Sequence, residues 1–380
     1  GLEPYLARFH RSCRRSFASV AAILESRAVL EITGVDAKGL LQGLMTNDMS
    51  LLDTDAGSDA NSPPSISTAF LSSKGRVLAD AIMTRISRHD GKKPLYKLRS
   101  KVKIKDTTAL YDVLVMGVHD PWQVSSTENS GKGSHSPVAA SSAAAAPRQP
   151  YNDGDDDRLA LFEDPRSAKL GRRLIRPKAG NGERSAAWAG LGDEVVSEER
   201  YNALRMAHGV GEGKELLDSI PHESNLDLMG SISFTKGCYV GQELTARTQF
   251  KGLVRKRLLP VLFSSADELV EWGSEGSSGA APPAPGSNIL DERNGNKKKI
   301  GTLVAVSPEY NVGLALLRLS NVIDGALQGA DGDAAAKTCG TMGSFVVEAS
   351  PEDGERRRCV PMLPAWWPES LDATTGKVAA

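Results

Sequence analysis

The sequence predicts a main domain that contains both strands and helices, followed by a small all-β module. Two observations indicate this organisation: strand-like segments and amphipathic helices are mixed in the first two thirds of the chain, whereas the late ordered segments have strand patterns. With 380 residues, the chain is long enough for two domains. Its formal net charge of −1 argues against nucleic-acid binding through charge alone. No uninterrupted apolar stretch reaches the roughly 18–20 residues of a membrane-spanning helix, so no membrane segment is expected.

The first 27 residues have the composition of a mitochondrial transit peptide. Between residues 4 and 24 there are four arginines and no acidic residue. Apolar residues recur every three or four positions, so a helix here would carry an apolar stripe beside an arginine face. This pattern is typical of targeting segments, although a basic helix docked on the domain is an alternative. We therefore expect a mitochondrial protein.

The elements of the first domain follow from local capping and turn signals. Its first half is predicted to contain a strand, a helix and a hairpin: residues 28–33, a helix from Asp36 to residues 46–48, and a hairpin of residues 68–72 and 77–86. Its second half is predicted to contain strands at 110–118 and 170–175 and a helix that starts at Ser197 and stops at Gly209. Between these halves, residues 123–157 are rich in Ser, Ala, Gly and Pro and predict a disordered insert.

The all-β module is predicted from two late strands. Residues 300–306 and 312–319 alternate in the manner of strands around a short polar turn. Composition before them is dominated by Gly, Ser, Ala and Pro. This interval predicts a low-complexity insert at the start of the module.

The four cysteines predict a reducing compartment. Cys13, Cys238, Cys339 and Cys359 are too few and too scattered for a disulfide framework in a chain of this length. No Cys-x-x-Cys pair is present. The spacing therefore argues against a complete metal site built from this chain alone.

The segment richest in chemical signals is Lys-Gly-Cys-Tyr-Val-Gly-Gln-Glu at residues 236–243. Two glycines around Cys238 permit a tight backbone path, and the following residues have the composition of a helix. Cys238 would then lie just before a helix N-terminus, and this position and Lys236 would both favour the thiolate that binds metal. The alternative is that Cys238 is a small buried apolar residue.

This octapeptide resembles the signature of the YgfZ-type proteins, which are relatives of the aminomethyltransferase T-protein of the glycine cleavage system. Other segments of this chain support the resemblance: Thr46–Asp48, Gly75–Asp80, Pro221–Asp227, Val312–Arg318 and Trp366–Pro368. Together with the transit-like start, they are similar to the eukaryotic mitochondrial branch, a family of iron-sulfur cluster assembly factors. The resemblance covers about residues 28–368.

The resemblance implies a folate-binding T-protein-like α+β domain followed by a small β-barrel. The corresponding boundaries are a transit-like segment at 1–27, the α+β domain at 28–255 with its insert near 123–157, the barrel at 256–368, and a tail at 369–380. The family normally has another strand and a helix where this chain has only residues 87–94, so the first subdomain is expected to be shortened.

The resemblance also implies a function in the mitochondrial matrix. Members of the family act late in the maturation of [4Fe-4S] clusters on client enzymes such as aconitase and lipoate synthase, together with A-type iron-sulfur carrier proteins. Cys238 is the expected ligand of a cluster that is shared transiently with the carrier. The remaining motif residues are expected to shape its loop and orient it: Lys236, Gly237, Tyr239, Gly241, Gln242 and Glu243.

The T-protein cavity implies tetrahydrofolate as a further ligand. The residues expected to line such a cavity are Asp80, Arg205, Glu223, Asn225 and Arg247, for which ordinary surface charges are the alternative. However, the first of the paired T-protein aspartates falls on Ala79, and the glutamate that holds the pterin ring falls on Ala207. We therefore expect a non-catalytic assembly factor, with a tetrahydrofolate-dependent one-carbon transferase and a folate-binding module without iron chemistry as alternatives.

Overall fold

The computed structural model describes a large part of the chain, and the statements below refer to that part. The described residues are 20–53, 65–85, 102–118, 160–178, 194–264, 283–292, 297–307, 309–326, 345–348, 357–368, 370–372 and 375–378. The shortened segment at 87–94, the insert at 123–157 and residues 1–19 of the transit-like segment lie outside these residues. Residues 20–27 of that segment are described and include a strand at Val20–Ile23, so the folded domain begins before the predicted boundary at residue 28.

The first domain contains nine strands, three α-helices and three short 3-10 helices, Met49–Leu52, Ala168–Leu170 and Gly213–Glu215, among its described residues. In chain order the strands and α-helices are β1 (Val20–Ile23), β2 (Leu30–Thr33), α1 (Ala37–Leu44), β3 (Ser65–Leu71), β4 (Val77–Thr84), β5 (Lys103–Asp106), β6 (Tyr111–Val118), β7 (Ala160–Glu163), β8 (Arg172–Pro177), β9 (Glu194–Val196), α2 (Glu198–Ala207) and α3 (Gln242–Phe250). Strands β7, β8, β6, β1 and β9 form a five-stranded sheet in that order, in which only the β1–β9 pair is parallel. Strands β2 and β5 form a separate antiparallel sheet of two strands, and β3 and β4 form another.

The second domain is a closed barrel. Its described elements are β10 (Lys256–Ser264), β11 (Asn288–Asp291), β12 (Lys298–Ser307), β13 (Val312–Arg318), α4 (Leu319–Ala326), β14 (Phe345–Val347) and β15 (Arg357–Pro361). The strands close in the order β10, β13, β12, β11, β14 and β15. Alternate residues of these strands point into a core that includes Leu259, Phe263, Leu303 and Phe345. No helix in the described ranges is long and apolar enough to cross a membrane.

Helix α2 is buried between the first sheet and the barrel. The Ser197 side chain caps its start by accepting a hydrogen bond from the Arg200 amide, and Gly209 follows its end with a φ of 72°. Its residues Tyr201 and Leu204 pack on the first sheet. Ala203 and Ala207 pack instead against barrel residues such as Leu258 and Leu314. Helix α2 therefore ties the two domains together.

Three sequence predictions differ from the structure. Asp36 occupies the position before α1, but its side chain makes no capping hydrogen bond. The sequence predicts an apolar face of Leu40, Leu41, Leu44 and Met45, but Leu40 and Leu44 are exposed, because only one face of this short helix meets the β3–β4 hairpin cluster. The prediction of two late strands also missed β10, β11, β14 and β15. These strands have no clear strand pattern in the sequence, because three are short segments beside low-complexity sequence and β10 carries a central proline.

Candidate functional site

Cys238 lies exposed on the loop that leads into α3. Helix α3 starts after Gly241, so the prediction that Cys238 precedes a helix is confirmed. The alternative of a buried apolar cysteine does not hold for Cys238. It describes Cys359 instead, which is buried in the barrel.

Lys236 fastens the Cys238 loop to the end of α1. Its Nζ donates hydrogen bonds to three backbone carbonyl oxygens: Gln42 (2.7 Å), Met45 (2.7 Å) and Asn47 (2.8 Å). The last carbonyls of a helix lack partners within the helix and carry partial negative charge, so a cation is favourable there. An ammonium group has three donors, and all three are used. We predicted that Lys236 would favour the thiolate of Cys238, but its charge is directed at the helix end.

Further hydrogen bonds join the chain before and after Lys236 to residues at the end of α1. The Ser233 amide donates to the Thr46 carbonyl over 2.9 Å, and the Val240 amide donates to the Gly43 carbonyl over 3.0 Å. The buried Thr46 hydroxyl donates to the Ser231 carbonyl over 2.7 Å. Since these bonds flank Cys238 on both sides, the loop is held in place while its thiol stays exposed.

Gly241 is required by the backbone path, whereas Gly237 is not. Gly241 has a φ of 79°, and a Cβ at this position would lie 2.4 Å from the Ser72 carbonyl oxygen and 2.8 Å from the Leu71 Cβ. The β3–β4 turn approaches this closely because its own Gly75 also lacks a side chain. A Cβ at Gly237 would meet nothing within 4 Å, so the prediction that both glycines shape the path is correct in steric terms only for Gly241.

The side chains of Gln242 and Tyr239 stabilise the loop, and that of Glu243 lies at the start of α3. The Gln242 Oε1 accepts a hydrogen bond from the Tyr239 amide over 3.1 Å. Tyr239 is buried beside Leu71 and Ile232, its ring centre lies 4.9 Å from the Lys236 Nζ, and burial raises the pKa of its hydroxyl. Glu243 is exposed in the first turn of α3, where a carboxylate opposes the positive end of the helix.

A buried ion network surrounds Glu212, away from the motif loop. The Glu212 carboxylate pairs with Arg27, Arg166, Arg173 and Arg205. It also accepts a hydrogen bond from the Tyr201 hydroxyl over 2.9 Å. Burial alone would raise the pKa of Glu212, but the four guanidinium groups together hold it well below its ordinary value. Sequence reasoning missed this network because its members come from distant parts of the chain.

Asp80 and Arg205, two of the residues expected to line a folate cavity, belong to this network. The Asp80 carboxylate accepts from Arg27 over 3.0 Å and from the Gly213 amide over 2.9 Å. Arg205 is buried and makes two hydrogen bonds to Glu215, of 2.7 and 2.8 Å. Arg205 was expected to line a folate cavity, but its guanidinium is already neutralised by carboxylates of the same chain.

The three other expected cavity residues lie in different surroundings. Asn225 is fully buried with a φ of 62°, and its Nδ2 donates to the Leu258 carbonyl over 2.6 Å. Asn225 therefore links its own turn segment to strand β10 of the barrel. Glu223 is half-buried, and burial raises the pKa of its carboxyl. Arg247 is exposed on α3, which is a correction to its expected place in a cavity.

Arg257, which the sequence analysis did not single out, also links the segment around Asn225 to the barrel. It is fully buried in β10 and makes two hydrogen bonds to Asp227, both of 2.8 Å. It also donates to the carbonyls of His222 and Gly376, each over 2.8 Å. Breaking such a buried pair by removing one partner typically costs about 3–5 kcal/mol, so Arg257 is a structural link between the domains and the C-terminal residues.

The described residues contain no group of three or more His, Cys, Asp or Glu side chains that is arranged to hold a metal ion. Cys238 is the one exposed thiol among the described residues. Iron-sulfur clusters are generally held by four protein ligands, so a cluster bound to Cys238 would need ligands from outside the described residues.

Comparisons with known proteins agree with the fold and point to one family. Residues 255–369 match the family described as CAF17, C-terminal beta-barrel domain. The chain is 33% identical over 348 residues to the iron-sulfur cluster assembly factor IBA57 homolog, mitochondrial, of Neosartorya fischeri, covering 81% of this chain and 72% of that relative. It is 31% identical over 379 residues to the homolog of Pyricularia oryzae, covering 93% and 86%. It is 30% identical over 326 residues to the iron-sulfur cluster assembly factor IBA57, mitochondrial, of Mus musculus, covering 80% and 78%.

A solved structure gives the same architecture. The glycine cleavage system aminomethyltransferase T of Bartonella henselae superposes with a TM-score of 0.52 at 12% identity, covering 95% of this chain and 89% of that chain. At this identity the likeness concerns the fold alone. Together with the closed barrel, it confirms the predicted T-protein-like α+β fold with a C-terminal β-barrel.

Proposed function

Because this chain belongs to the IBA57 family of mitochondrial iron-sulfur cluster assembly factors, we propose that Cys238 contributes one ligand to a cluster shared with an A-type carrier protein. The proposed work takes place in the mitochondrial matrix, late in the maturation of [4Fe-4S] clusters on clients such as aconitase and lipoate synthase. The chain acts as an assembly factor and not as a catalyst. The cluster is its cargo.

The observation that carries this proposal is an exposed thiol on a loop that is fixed on both sides. A thiol becomes an iron ligand by losing its proton, and an exposed site allows both the proton and a second protein to reach or leave the sulfur. Since the loop is already ordered, binding the cluster costs little conformational entropy. A single ligand from this side also leaves the cluster easy to release, as a transfer intermediate requires.

Three motif residues act as positioning residues in this proposal. Lys236 holds the loop against α1, Gly241 allows the close approach of the β3–β4 turn, and Gln242 bonds the Tyr239 amide next to Cys238. None of them needs to touch the cluster. Their role is to keep the sulfur at one place on the surface.

The alternative of a tetrahydrofolate-dependent one-carbon transferase is disfavoured at three positions. Ala207 is buried against barrel residues, so no carboxylate is available there for a pterin ring. Ala79 lacks the carboxylate of the first T-protein aspartate, and the surviving Asp80 is paired with Arg27. Proton transfer to or from a substrate needs a group that is free to exchange its partner.

The proposal is tested by mixing the purified chain anaerobically with an A-type carrier that holds a [2Fe-2S] cluster. We expect wild type to co-elute with the carrier and to change the visible absorption of the cluster, whereas Cys238→Ala leaves the spectrum of the carrier unchanged. Cys339→Ala, which removes a different cysteine, serves as the matched control and should behave as wild type. Identical spectra for wild type and Cys238→Ala would reject Cys238 as a ligand.

A further inference from the structure

The last turns of α3 and the residues just after it carry exposed cationic and apolar side chains, and one of them, Phe250, contacts Phe234 in the segment that leads to Cys238. The side chains are those of Arg247, Phe250, Lys251, Leu253 and Arg255, which we call the α3 face. Arg247 and Lys251 are four residues apart, so they lie one helical turn from each other. Within the described part of the chain, none of the three cations of this face has a carboxylate within 4.0 Å.

Phe250 is the most prominent apolar side chain of this face. It is 70% exposed, which is the highest value among the large apolar residues that the structure describes, and Leu253, three residues further along the chain, is 51% exposed. Aromatic residues and arginine are the residue types enriched at the centres of protein interfaces. An exposed phenylalanine between two cations therefore indicates a surface that a partner covers.

The α3 face is connected to the Cys238 loop through a ring contact. Phe234 precedes Cys238 by four residues, and its ring meets that of Phe250 edge to face, with 6.5 Å between the ring centres. The other end of α3 begins directly after the loop, where Gln242 bonds the Tyr239 amide. A partner that brings a cluster to Cys238 therefore reaches the α3 face with an adjacent part of its surface.

We propose that the α3 face docks an acidic surface of the cluster-bearing partner protein, with Phe250 and Leu253 buried in the contact and the three cations facing partner carboxylates. The charge of the occupant follows from the face itself, because unpaired cations favour an anionic partner. A cluster held by thiolates adds negative charge to the same partner. This inference rests on the proposed function for the identity of that partner, the A-type carrier.

The test measures the affinity of the carrier, loaded with a [2Fe-2S] cluster, for variants of the full chain at about 50 mM and about 300 mM NaCl. The charge-reversal variant carries Arg247→Glu and Lys251→Glu. The matched control carries Lys169→Glu and Lys299→Glu, which make the same change in net charge at exposed positions on other elements. A third variant, Phe250→Ser, removes the apolar contact, and thermal unfolding checks that every variant is folded.

We expect the charge-reversal variant to raise the Kd at least about tenfold at low salt and to approach wild type at high salt, because screening removes the electrostatic part of the binding. Phe250→Ser should raise the Kd roughly tenfold or more at both salt concentrations, since an apolar contact is not screened. The control pair should stay within about twofold of wild type. Equal affinities for the charge-reversal variant and the control pair would overturn the docking proposal.

Adding Cys238→Ala separates this inference from the proposed function. If Cys238→Ala loses the shared-cluster spectrum while charge reversal leaves the Kd unchanged, the function stands and the docking surface is wrong. If charge reversal weakens binding while wild type and Cys238→Ala give the same spectrum, the docking surface stands and the ligand role of Cys238 is wrong. Failure of wild type to bind the carrier at low salt, or a preference of the α3 face for anionic vesicles or RNA over the carrier, rejects the docking proposal.

Discussion

The two cysteines that the structure describes have the same side chain and opposite surroundings. Cys238 is exposed on a loop that hydrogen bonds hold against the end of α1 and that packs closely on the β3–β4 turn at Gly241. Cys359 is buried in β15 among the apolar residues of the barrel core, and burial raises the pKa of its thiol to about 12. Because only the thiolate binds metal or reacts with an electrophile, the barrel makes its cysteine inert and the loop leaves its cysteine available.

The comparison also shows two ways of fixing a cysteine in space. The barrel does so by close packing, which excludes water and any partner. The loop does so by satisfying carbonyl groups at the end of α1 with the ammonium of Lys236, at a distance of two residues from the sulfur. Order and exposure are therefore compatible at Cys238, and this combination suits a ligand that is offered to another protein.

The largest expected effect is a difference in alkylation rate. In a chain with Cys13→Ser and Cys339→Ser, iodoacetamide at pH 8 should modify Cys238 at least roughly a thousandfold faster than Cys359, because Cys359 is both protonated and inaccessible until the barrel opens. Mass spectrometry of the labelled peptides measures both rates. Comparable rates for the two cysteines would mean that the barrel does not protect Cys359. The control is Cys238→Ser, which should abolish the fast labelling if Cys238 is its source.

An intermediate effect is expected from glycine substitution in the loop. Gly241→Ala should lower the free energy of unfolding by about 2–4 kcal/mol, because the new Cβ meets the Ser72 carbonyl in a left-handed backbone conformation. Gly237→Ala is the matched control and should cost about 0.5 kcal/mol or less. Urea denaturation gives both values. Similar losses for the two variants would contradict the backbone path at Gly241.

The smallest expected effect is a pH dependence that comes from Cys359. Its pKa in the folded state is about 12, above the ordinary thiol value of 9.0, so the unfolded chain loses this proton first as the pH rises. The free energy of unfolding of wild type should therefore fall by about 1–2 kcal/mol more than that of Cys359→Ala between pH 8 and pH 10. Urea titrations at the two pH values measure the difference. A parallel decline in both chains would show that Cys359 contributes no pH dependence.

Local signals in the sequence were sufficient for several elements. Helix α2 has its cap at Ser197 and its stop at Gly209, and helix α3 begins where the glycine-containing motif ends. The β3–β4 hairpin turns at Gly75. Each of these features depends on residues within a few positions of one another, so the sequence alone contains the physical cause.

Partners that are distant in the chain could not be assigned in this way. Lys236 lies two residues from the thiol in sequence, yet its ammonium bonds carbonyls near residue 45, which are almost 200 positions away. Arg205 was expected to meet an anionic ligand, yet it is buried in the ion network of Glu212, to which the distant Arg27 also belongs. The sequence shows that a charge is present, whereas its partner depends on which segments meet.

Patterns in the sequence indicated mixed strands and helices, a small all-β module near the end and one cysteine motif, and the family resemblance added the T-protein-like α+β class and the β-barrel. Tertiary structure alone decided that Cys238 is exposed and Cys359 is buried. It also decided that four arginines pair with Glu212 and that the Phe250 side chain is largely exposed. The physical reason is that secondary structure and capping are short-range interactions, while burial, ion pairing and exposure are set by contacts between elements that the chain order does not specify.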